Sequence, residues 1–283
     1  MQEAEVAEFW ESHPCGDLAV GGLTDMFHGN YELFFSAYDR VRYQRESHIP
    51  ACLDAMDVAG CKVLEIGLGQ GADSEQLIRR GAVWTGLDVT DEAVERVGAR
   101  LAVRKLAFAG LYRSSVTDIP VEDGAFDIIF SHGVLHHVPD ITAAQQEIHR
   151  VLRRGGRLVV MLYARRSLNY QVAIRIVRRA ALLAAWPFRR KVPEGILRGH
   201  LDNAEREGLR NYLRMERFLH ANTDGPENPH ARVYSLRDVR RDFPSFEVIR
   251  AHKHYMHAPP LPVHALPGSR LMGWHLWVEM QPR

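Results

Sequence analysis

The sequence VLEIGLGQG at residues 63–71 decides the fold of this chain of 283 residues. Three of its first four residues are apolar, as in a buried strand, and a helical pattern begins at Ala72. Between them, Gly67, Gly69 and Gly71 permit a tight turn and let a ligand touch the amides at a helix N-terminus. The stretch therefore predicts a strand, a ligand-binding turn and a helix in succession.

Alternating strand and helix patterns extend from this turn over residues 60–163. We predict strands at 62–66, 83–87, 126–131 and 156–163, closing strands at 246–254 and 273–280, and helices at 72–80, 92–101 and 142–152. Strands such as 158–162 are apolar on both faces, which is typical of a sheet covered by helices on both sides. The predicted fold class is α/β, with a Rossmann-like, doubly wound sheet of about seven strands.

The chain divides into four predicted segments. These are an N-terminal helical lid at 1–58, a Rossmann-like core at 59–164, a basic helical insertion after strand five at 165–230, and C-terminal strands at 231–283 that complete the sheet. We expect the lid and the insertion to enclose an acceptor pocket above the core.

Two cofactors fit the glycine turn. The pattern Gly67-x-Gly69-x-x-Ala72 satisfies a dinucleotide fingerprint, and Asp88 follows about 20 residues on, where a carboxylate can hold a ribose diol. Glu65 favours S-adenosylmethionine (SAM), because a carboxylate beside the turn would repel a pyrophosphate but suits a sulfonium and an ammonium group. The alternative is that Glu65 only caps the loop by accepting from its amides.

Four motifs in order carry a family resemblance. They are the acidic residue and glycines at 65–71, Asp88 after strand two, IPVEDGAFDIIFSHGVLHHVPD at 119–140, and EIHRVLRRGGRLVVMLY at 147–163. Together they resemble the class I SAM-dependent methyltransferases of the ubiquinone/menaquinone type over residues 60–163. The chain departs from the family's usual pattern at Ser115, where an acidic residue is common, and at Arg153, where the loop is more often proline-glycine-glycine.

The resemblance implies SAM as cofactor and a set of ten residues around it: Glu65, Gly67, Leu68, Gly69, Asp88, Val89, Ser115, Val116, Ser131 and His132. Within this set, the glycines would lie against the methionine part and Asp88 would bind the ribose hydroxyls. Val89 and Val116 would lie at the adenine, and His132 would face the transferred methyl.

Three histidines follow strand four, where a base would be useful. Methyl transfer from a sulfonium is an in-line displacement, and a histidine can take the acceptor's proton near neutral pH. His132 is the first candidate catalytic residue and His136 the second, with His137 beside it. The alternative for His136 and His137 is helix capping or packing.

Polar aromatic residues and an amide are candidates for the acceptor pocket: Tyr31, Tyr38, Tyr163 and Asn169. The alternative is that the aromatic residues belong to the core. The Phe9-Trp10-x-x-His13-Pro14-Cys15-Gly16 segment suggests a helix end and a turn, without a chemical role.

No metal site is expected. His252 and His254 would share one face of a strand and His257 lies nearby, but no carboxylate or cysteine set accompanies them, so we predict solvent-facing strand residues. The three cysteines, Cys15, Cys52 and Cys61, are too scattered for a zinc site or a disulfide framework, and packing roles are expected.

The insertion is strongly basic. Residues 165–217 hold thirteen Lys or Arg against five Asp or Glu, and an apolar stripe runs through 174–186. Three interpretations remain open: a lid or homodimer contact with solvated arginines, recognition of an anionic acceptor, or contact of 174–191 with an anionic membrane. The position after strand five favours the first two.

The sequence therefore predicts a SAM-dependent methyltransferase acting on a small-molecule acceptor. A net charge of +1 argues against nucleic acid as a partner, and the absence of any apolar run near the roughly 20 residues of a bilayer span indicates a cytoplasmic protein. Two alternatives are an RNA or protein methyltransferase, disfavoured because no Asn-Pro-Pro-Tyr-type tetrapeptide follows strand four, and a SAM-binding protein that transfers no methyl group.

Overall fold

The computed structural model describes residues 3–283, apart from the side chains of Asp17 and Leu18. Within these residues one sheet has the strands β1 (Lys62–Ile66), β2 (Val83–Asp88), β3 (Gly110–Arg113), β4 (Phe126–His132), β5 (Leu152–Tyr163), β6 (Phe246–His254) and β7 (His275–Pro282). The strand order is β3-β2-β1-β4-β5-β7-β6, and only β7 runs antiparallel to its neighbours. The predicted doubly wound sheet of about seven strands is confirmed.

Helices precede, connect and follow these strands. In chain order they are α1 (Glu3–Ser12), α2 (Asp17–Val20), α3 (Tyr31–Arg45), α4 (Ile49–Asp54), α5 (Ala72–Arg79), α6 (Asp91–Val103), α7 (Ile141–Val151), α8 (Arg179–Ala185), α9 (Ile196–Glu207), α10 (Leu209–Tyr212), α11 (Met215–His220), α12 (Leu236–Asp242) and α13 (Ser269–Met272). A π-helical segment, Asn169–Arg178, leads directly into α8, and a 3-10 turn, Trp186–Lys191, ends it.

The sheet is buried on both faces. Val63 and Leu64 point to opposite sides of β1, and both are fully buried in separate hydrophobic clusters. In β4, Phe130 joins the first cluster and Ile129 the second. This two-sided burial explains why the strands are nearly continuous apolar runs.

The strand order reverses between β1 and β4. In open α/β sheets, ligands bind in the crevice outside the carboxyl ends of the strands at such a switch point. The glycine turn follows β1, and His132 ends β4. The topology therefore brings the two most prominent sequence features to one crevice.

Helix α1 lies across this edge of the sheet. The carboxylate of Glu11 accepts bonds from the backbone amides of Asp91 and Glu92, at 2.9 and 3.1 Å, and so caps the start of α6. Nearer the chain start, Glu3 accepts from the hydroxyl of Ser115. Both contacts fasten the N-terminal region to the core.

Part of the charge of the basic insertion is paired within it. Ion pairs join Arg189 to Glu205, Arg198 to Asp202 and Arg217 to Glu207. Arg178 donates to the carbonyls of Pro259 and Asn222. Among residues 3–283, no helix combines the length and apolar content that crossing a bilayer requires.

Candidate functional site

A cleft lies outside the carboxyl ends of β1, β2 and β4. Its volume is about 1190 Å³, including the solvent-filled space at its mouth. The glycine turn forms its floor, and α1 contributes Val6 and Trp10 to its wall.

The turn depends on glycine at Gly67. Its φ is +79°, in the left-handed region that favours glycine, and a Cβ there would lie 2.0 Å from Cγ2 of Val134, another residue of the cleft. The Gly67 amide donates to the carbonyl of Leu87 at 2.8 Å, which ties the turn to the end of β2. A side chain at Gly67 would therefore displace the opposite wall of the cleft.

Asp88 presents a buried carboxylate to the cleft. It accepts from the amide of Leu68 at 2.7 Å, and from the amide and hydroxyl of Thr90 at 3.0 and 2.8 Å. Burial raises the pKa of Asp88, although these donors oppose the rise. The carboxylate thus links the glycine turn to β2 and can accept further bonds from hydroxyl groups.

Glu65 lies beneath the turn and is only 2% exposed. Its carboxylate accepts from the indole Nε1 of Trp84 at 2.7 Å. Burial and the nearby Asp73 raise the pKa of Glu65 to about 8. The predicted alternative of a cap on the loop amides is wrong, because the partner is the Trp84 side chain on β2.

Val89 and Val116, two of the predicted cofactor residues, line the far end of the cleft. The hydroxyl of Ser115 is directed to Glu3 and accepts from the Thr117 amide at 2.9 Å, and Ser115 is not among the described residues that line the cleft. Glu3 does line it. Helix α1 thus places a carboxylate, that of Glu3, beside position 115, where this sequence has a serine.

A polar cluster forms the other end, beside β4. Asp73, in the first turn of α5, accepts from Arg42 at 2.5 Å and lies 2.9 Å from Nδ1 of His132. Tyr43 also donates to Asp73, at 3.2 Å. Burial alone would raise the pKa of Asp73, but Arg42 and His132 outweigh it and hold that pKa well below its usual range.

The contact with Asp73 orients the ring of His132. Arg42 also lies 2.7 Å from the same Nδ1. A carboxylate can only accept and a guanidinium can only donate, so the tautomer with its proton on Nδ1 pairs with Asp73 and the other tautomer pairs with Arg42. In the first of these the neutral ring keeps a lone pair on Nε2. Nε2 of His132 is buried and has no hydrogen-bond partner among the described residues.

The two histidines after His132 differ in position. His136 is fully buried, does not line the cleft in the described structure, and has a pKa held well below its usual range by burial. His137 lines the cleft and donates from Nδ1 to the carbonyl of His230 at 2.6 Å. The geometry therefore gives no support to the predicted catalytic role of His136, and its packing alternative fits better.

Of the four predicted acceptor residues, Tyr38 lines the cleft, whereas the other three are engaged elsewhere in the described structure. Tyr31 stacks on Phe35, with ring centroids 5.6 Å apart. The hydroxyl of Tyr163 donates to Asp224 at 2.8 Å, and Asn169 accepts from Arg178 at 3.2 Å. Ser131, predicted at the cofactor, donates to the carbonyl of Ile66 at 3.1 Å and holds β4 against β1.

Several cleft residues were not predicted. Arg42 and Asp73 carry no local motif, and only the fold brings them to His132. Trp10, Pro14 and Cys15 also line the cleft, so the distinctive N-terminal segment forms part of its wall. The expected packing role is wrong for Cys15, which is exposed.

The expectation that the late histidines face solvent is wrong as well. His252 and His254 are half-buried, and each offers a ring nitrogen within 4.8 Å of the sulfur of Cys52 and of the other histidine. Cys52 lies in α4, far from β6 in the chain, and only the fold brings it beside them.

Comparison with known proteins gives a consistent result for the core. Residues 64–160 match the family described as "Methyltransferase domain". The ubiquinone biosynthesis O-methyltransferase of Xanthomonas oryzae pv. oryzae is 36% identical over 121 residues, which are 42% of this chain and 50% of that protein. Chloroplastic tocopherol O-methyltransferase of Arabidopsis thaliana is 27% identical over 156 residues, which are 51% of this chain and 45% of that protein. The chain thus spans about half the length of these curated relatives.

Solved structures share the fold at low identity. A SAM-dependent methyltransferase from Methanosarcina mazei has a TM-score of 0.53 at 16% identity, covering 82% of this chain and 97% of that one. The [4+2]-cyclase SpnF has a TM-score of 0.52 at 15% identity, covering 87% of this chain and 82% of that one. The same architecture therefore occurs in proteins named for different chemistry.

Proposed function

We propose that this chain, whose residues 64–160 form a class I SAM-dependent methyltransferase domain, transfers a methyl group from SAM to a small-molecule acceptor. The observation that carries the proposal is the cleft at the strand-order reversal, which has the glycine turn and Asp88 at one end and the cluster of Asp73, Arg42 and His132 at the other.

The residues of the cleft fit SAM. Because Gly67 lacks a Cβ, Val134 packs directly against the turn, and both residues line the cleft. Asp88 offers a buried carboxylate for the two ribose hydroxyls, and Val89 and Val116 offer apolar contacts for a flat base. We assign Glu65, Leu68 and Gly69 to the amino-acid end, and Glu3 in place of Ser115 to the adenine amino group.

When bound, SAM supplies a methyl group activated by its sulfonium. The chain has to hold an acceptor in line with that methyl and keep water out. Helix α1 covers the cleft with Trp10, whose ring meets that of His137 edge-on at 5.1 Å. His132 stands at the polar end, with Asp73 fixing its ring, and receives the acceptor proton. His132 is thus the proposed catalytic residue, and Tyr38 the proposed acceptor contact.

The remaining segments have proposed roles around this core. Residues 1–58 and 165–230 enclose the acceptor, and 231–283 complete the sheet. We propose a cytoplasmic enzyme without a nucleic-acid partner, supported by the near-neutral net charge. Homodimerisation and membrane contact through 174–191 stay predictions, although the exposure of Ile176 and Phe188 there agrees with an apolar surface.

Calorimetric titration tests the cofactor assignment. We expect one SAM bound per chain, and Asp88→Ala should weaken binding by about 10- to 100-fold, because the ribose hydroxyls lose their acceptor. Asp91→Asn is the control, since Asp91 is exposed at the start of α6. Binding of NAD without SAM would overturn the proposal.

A labelled-methyl assay tests the reaction itself. Purified protein is incubated with methyl-labelled SAM and pools of small-molecule acceptors, RNA and protein. Label is expected in the small-molecule pools. Label only in RNA or protein, or SAM binding without incorporation into any pool, would contradict the proposed acceptor class or the transfer.

A further inference from the structure

A second cluster lies behind the polar end of the cleft. Glu46 follows α3, His132 ends β4 and His275 begins β7, and each offers one ligand atom within 4.8 Å of the other two. The side chains of His132 and His275 are almost fully buried, and that of Glu46 is about four-fifths buried. Three separate elements thus converge on one point beside the cleft.

Both imidazoles are held through their Nδ1 nitrogen. Asp73 holds Nδ1 of His132, and Nε2 of that ring is the buried atom without a partner. Nδ1 of His275 lies 3.2 Å from Nε2 of His48. Metal-binding histidines in proteins are arranged in this way, with one nitrogen on the metal and the other held by a carboxylate or a second polar group.

We propose that Glu46, His132 and His275 bind a divalent transition-metal ion. Two imidazoles and one carboxylate are a ligand set for Zn²⁺ and for Fe²⁺, whereas Mg²⁺ and Ca²⁺ prefer all-oxygen sites. Three atoms within 4.8 Å of one another can share a centre about 2.8 Å away or nearer, so movements under about 1 Å reach the 2.0–2.2 Å of zinc coordination.

The surrounding charges favour a cation. Arg42 is the guanidinium at the cluster, and it faces two carboxylates, Asp73 at 2.5 Å and Glu46 at 3.8 Å. One positive charge against two negative charges leaves a local excess of about one negative charge. A divalent cation would more than neutralise this excess negative charge, and it would not have to enter a site that is already positive.

The site has a chemical consequence that rests on the proposed function. A cation beside His132 would stabilise the anionic form of an acceptor hydroxyl at the end of the cleft. The hydroxyl proton would pass to solvent, the oxygen would form a bond to the methyl carbon, and the bond from carbon to sulfur would break. In the metal-loaded protein, His132 would then be a ligand and not the base.

The test measures zinc content and not activity. Chelator-treated protein is dialysed to equilibrium against Zn²⁺, and bound zinc is determined by elemental mass spectrometry. We expect one equivalent that is lost in His275→Asn and in Glu46→Gln, and Asp73→Asn should weaken its binding by about 10- to 100-fold. Circular dichroism confirms folding, and Glu46→Gln keeps the test valid if the buried His275 variant does not fold.

The cluster of Cys52, His252 and His254 is the competing site, and Cys52→Ser is the matched control. Zinc that stays in Cys52→Ser but leaves in Glu46→Gln supports the proposal. Zinc that leaves only in Cys52→Ser, or no stoichiometric zinc in the natural sequence, overturns it. SAM titration on the same samples separates the two proposals, because loss of zinc binding leaves the cofactor assignment intact and loss of SAM binding leaves the zinc result intact.

Discussion

The two ends of the cleft are built in different ways. The cofactor end joins residues close in the chain, since Asp88 accepts from Leu68 and Thr90 and faces the turn at Gly67. The other end brings together Arg42, Asp73, His132 and His275, which lie in four elements spread over most of the sequence.

This difference separates what a motif can encode from what only a fold can assemble. A strand, a glycine turn and a carboxylate at the end of the next strand are fixed by local backbone geometry. A buried ion-pair network such as that of Asp73 depends on the packing of α3 against α5 and on the neighbouring position of β4. The two ends should therefore respond differently to substitution.

The largest expected effect is at the polar end. His132→Ala should lower kcat by about 100-fold, whether His132 acts as base or as metal ligand, while SAM affinity changes by less than about threefold. Steady-state kinetics and calorimetry measure the two quantities, and His264→Ala, at an exposed position, is the control. A parallel loss of SAM affinity and kcat would mean that the two ends are not separable.

A smaller effect is expected at the glycine turn, and it should fall on SAM affinity. Gly67→Ala should weaken SAM binding by about tenfold or more, because its Cβ would push Val134 into the cleft. Gly60→Ala is matched to it, with a φ of +73° against +79° but nothing within 4 Å of its Cβ. Both variants should lose about 1 kcal/mol of stability from the strained backbone. Equal SAM affinity in the two would show that contact with Val134 has no influence on the cofactor.

The last expected effect is on stability and not on activity, as a pH dependence at Glu65. Its pKa is about 8 in the folded protein against 4.5 for an unperturbed glutamate, so between these pH values the folded state retains a proton that the unfolded state has lost. The free energy of unfolding should therefore fall as pH rises through this window. Glu65→Gln should flatten that dependence in urea unfolding series, and the exposed Glu95→Gln should not. If the free energy of unfolding of Glu65→Gln fell with pH as steeply as that of the natural sequence, a group other than Glu65 would retain the proton.

Sequence reasoning was sufficient for the sheet and the cofactor end, because strand periodicity and the spacing from Gly67 to Asp88 are local properties. It did not anticipate that Glu65 accepts from Trp84 on the neighbouring strand, or that the hydroxyl of Tyr163 donates to Asp224 in the insertion. It also missed Cys52 beside the late histidines. In each case the decisive contact joins segments whose pairing the local pattern does not specify.

Helix α1 gives the cleft a kinetic property. Its Glu11 is bonded to the amides at the start of α6, and its Glu3 accepts from the hydroxyl of Ser115, so the wall over the cleft is fastened at both ends. Detachment of α1 would widen the exit for a spent cofactor. Added salt, which weakens carboxylate contacts at a helix N-terminus, should therefore speed its release.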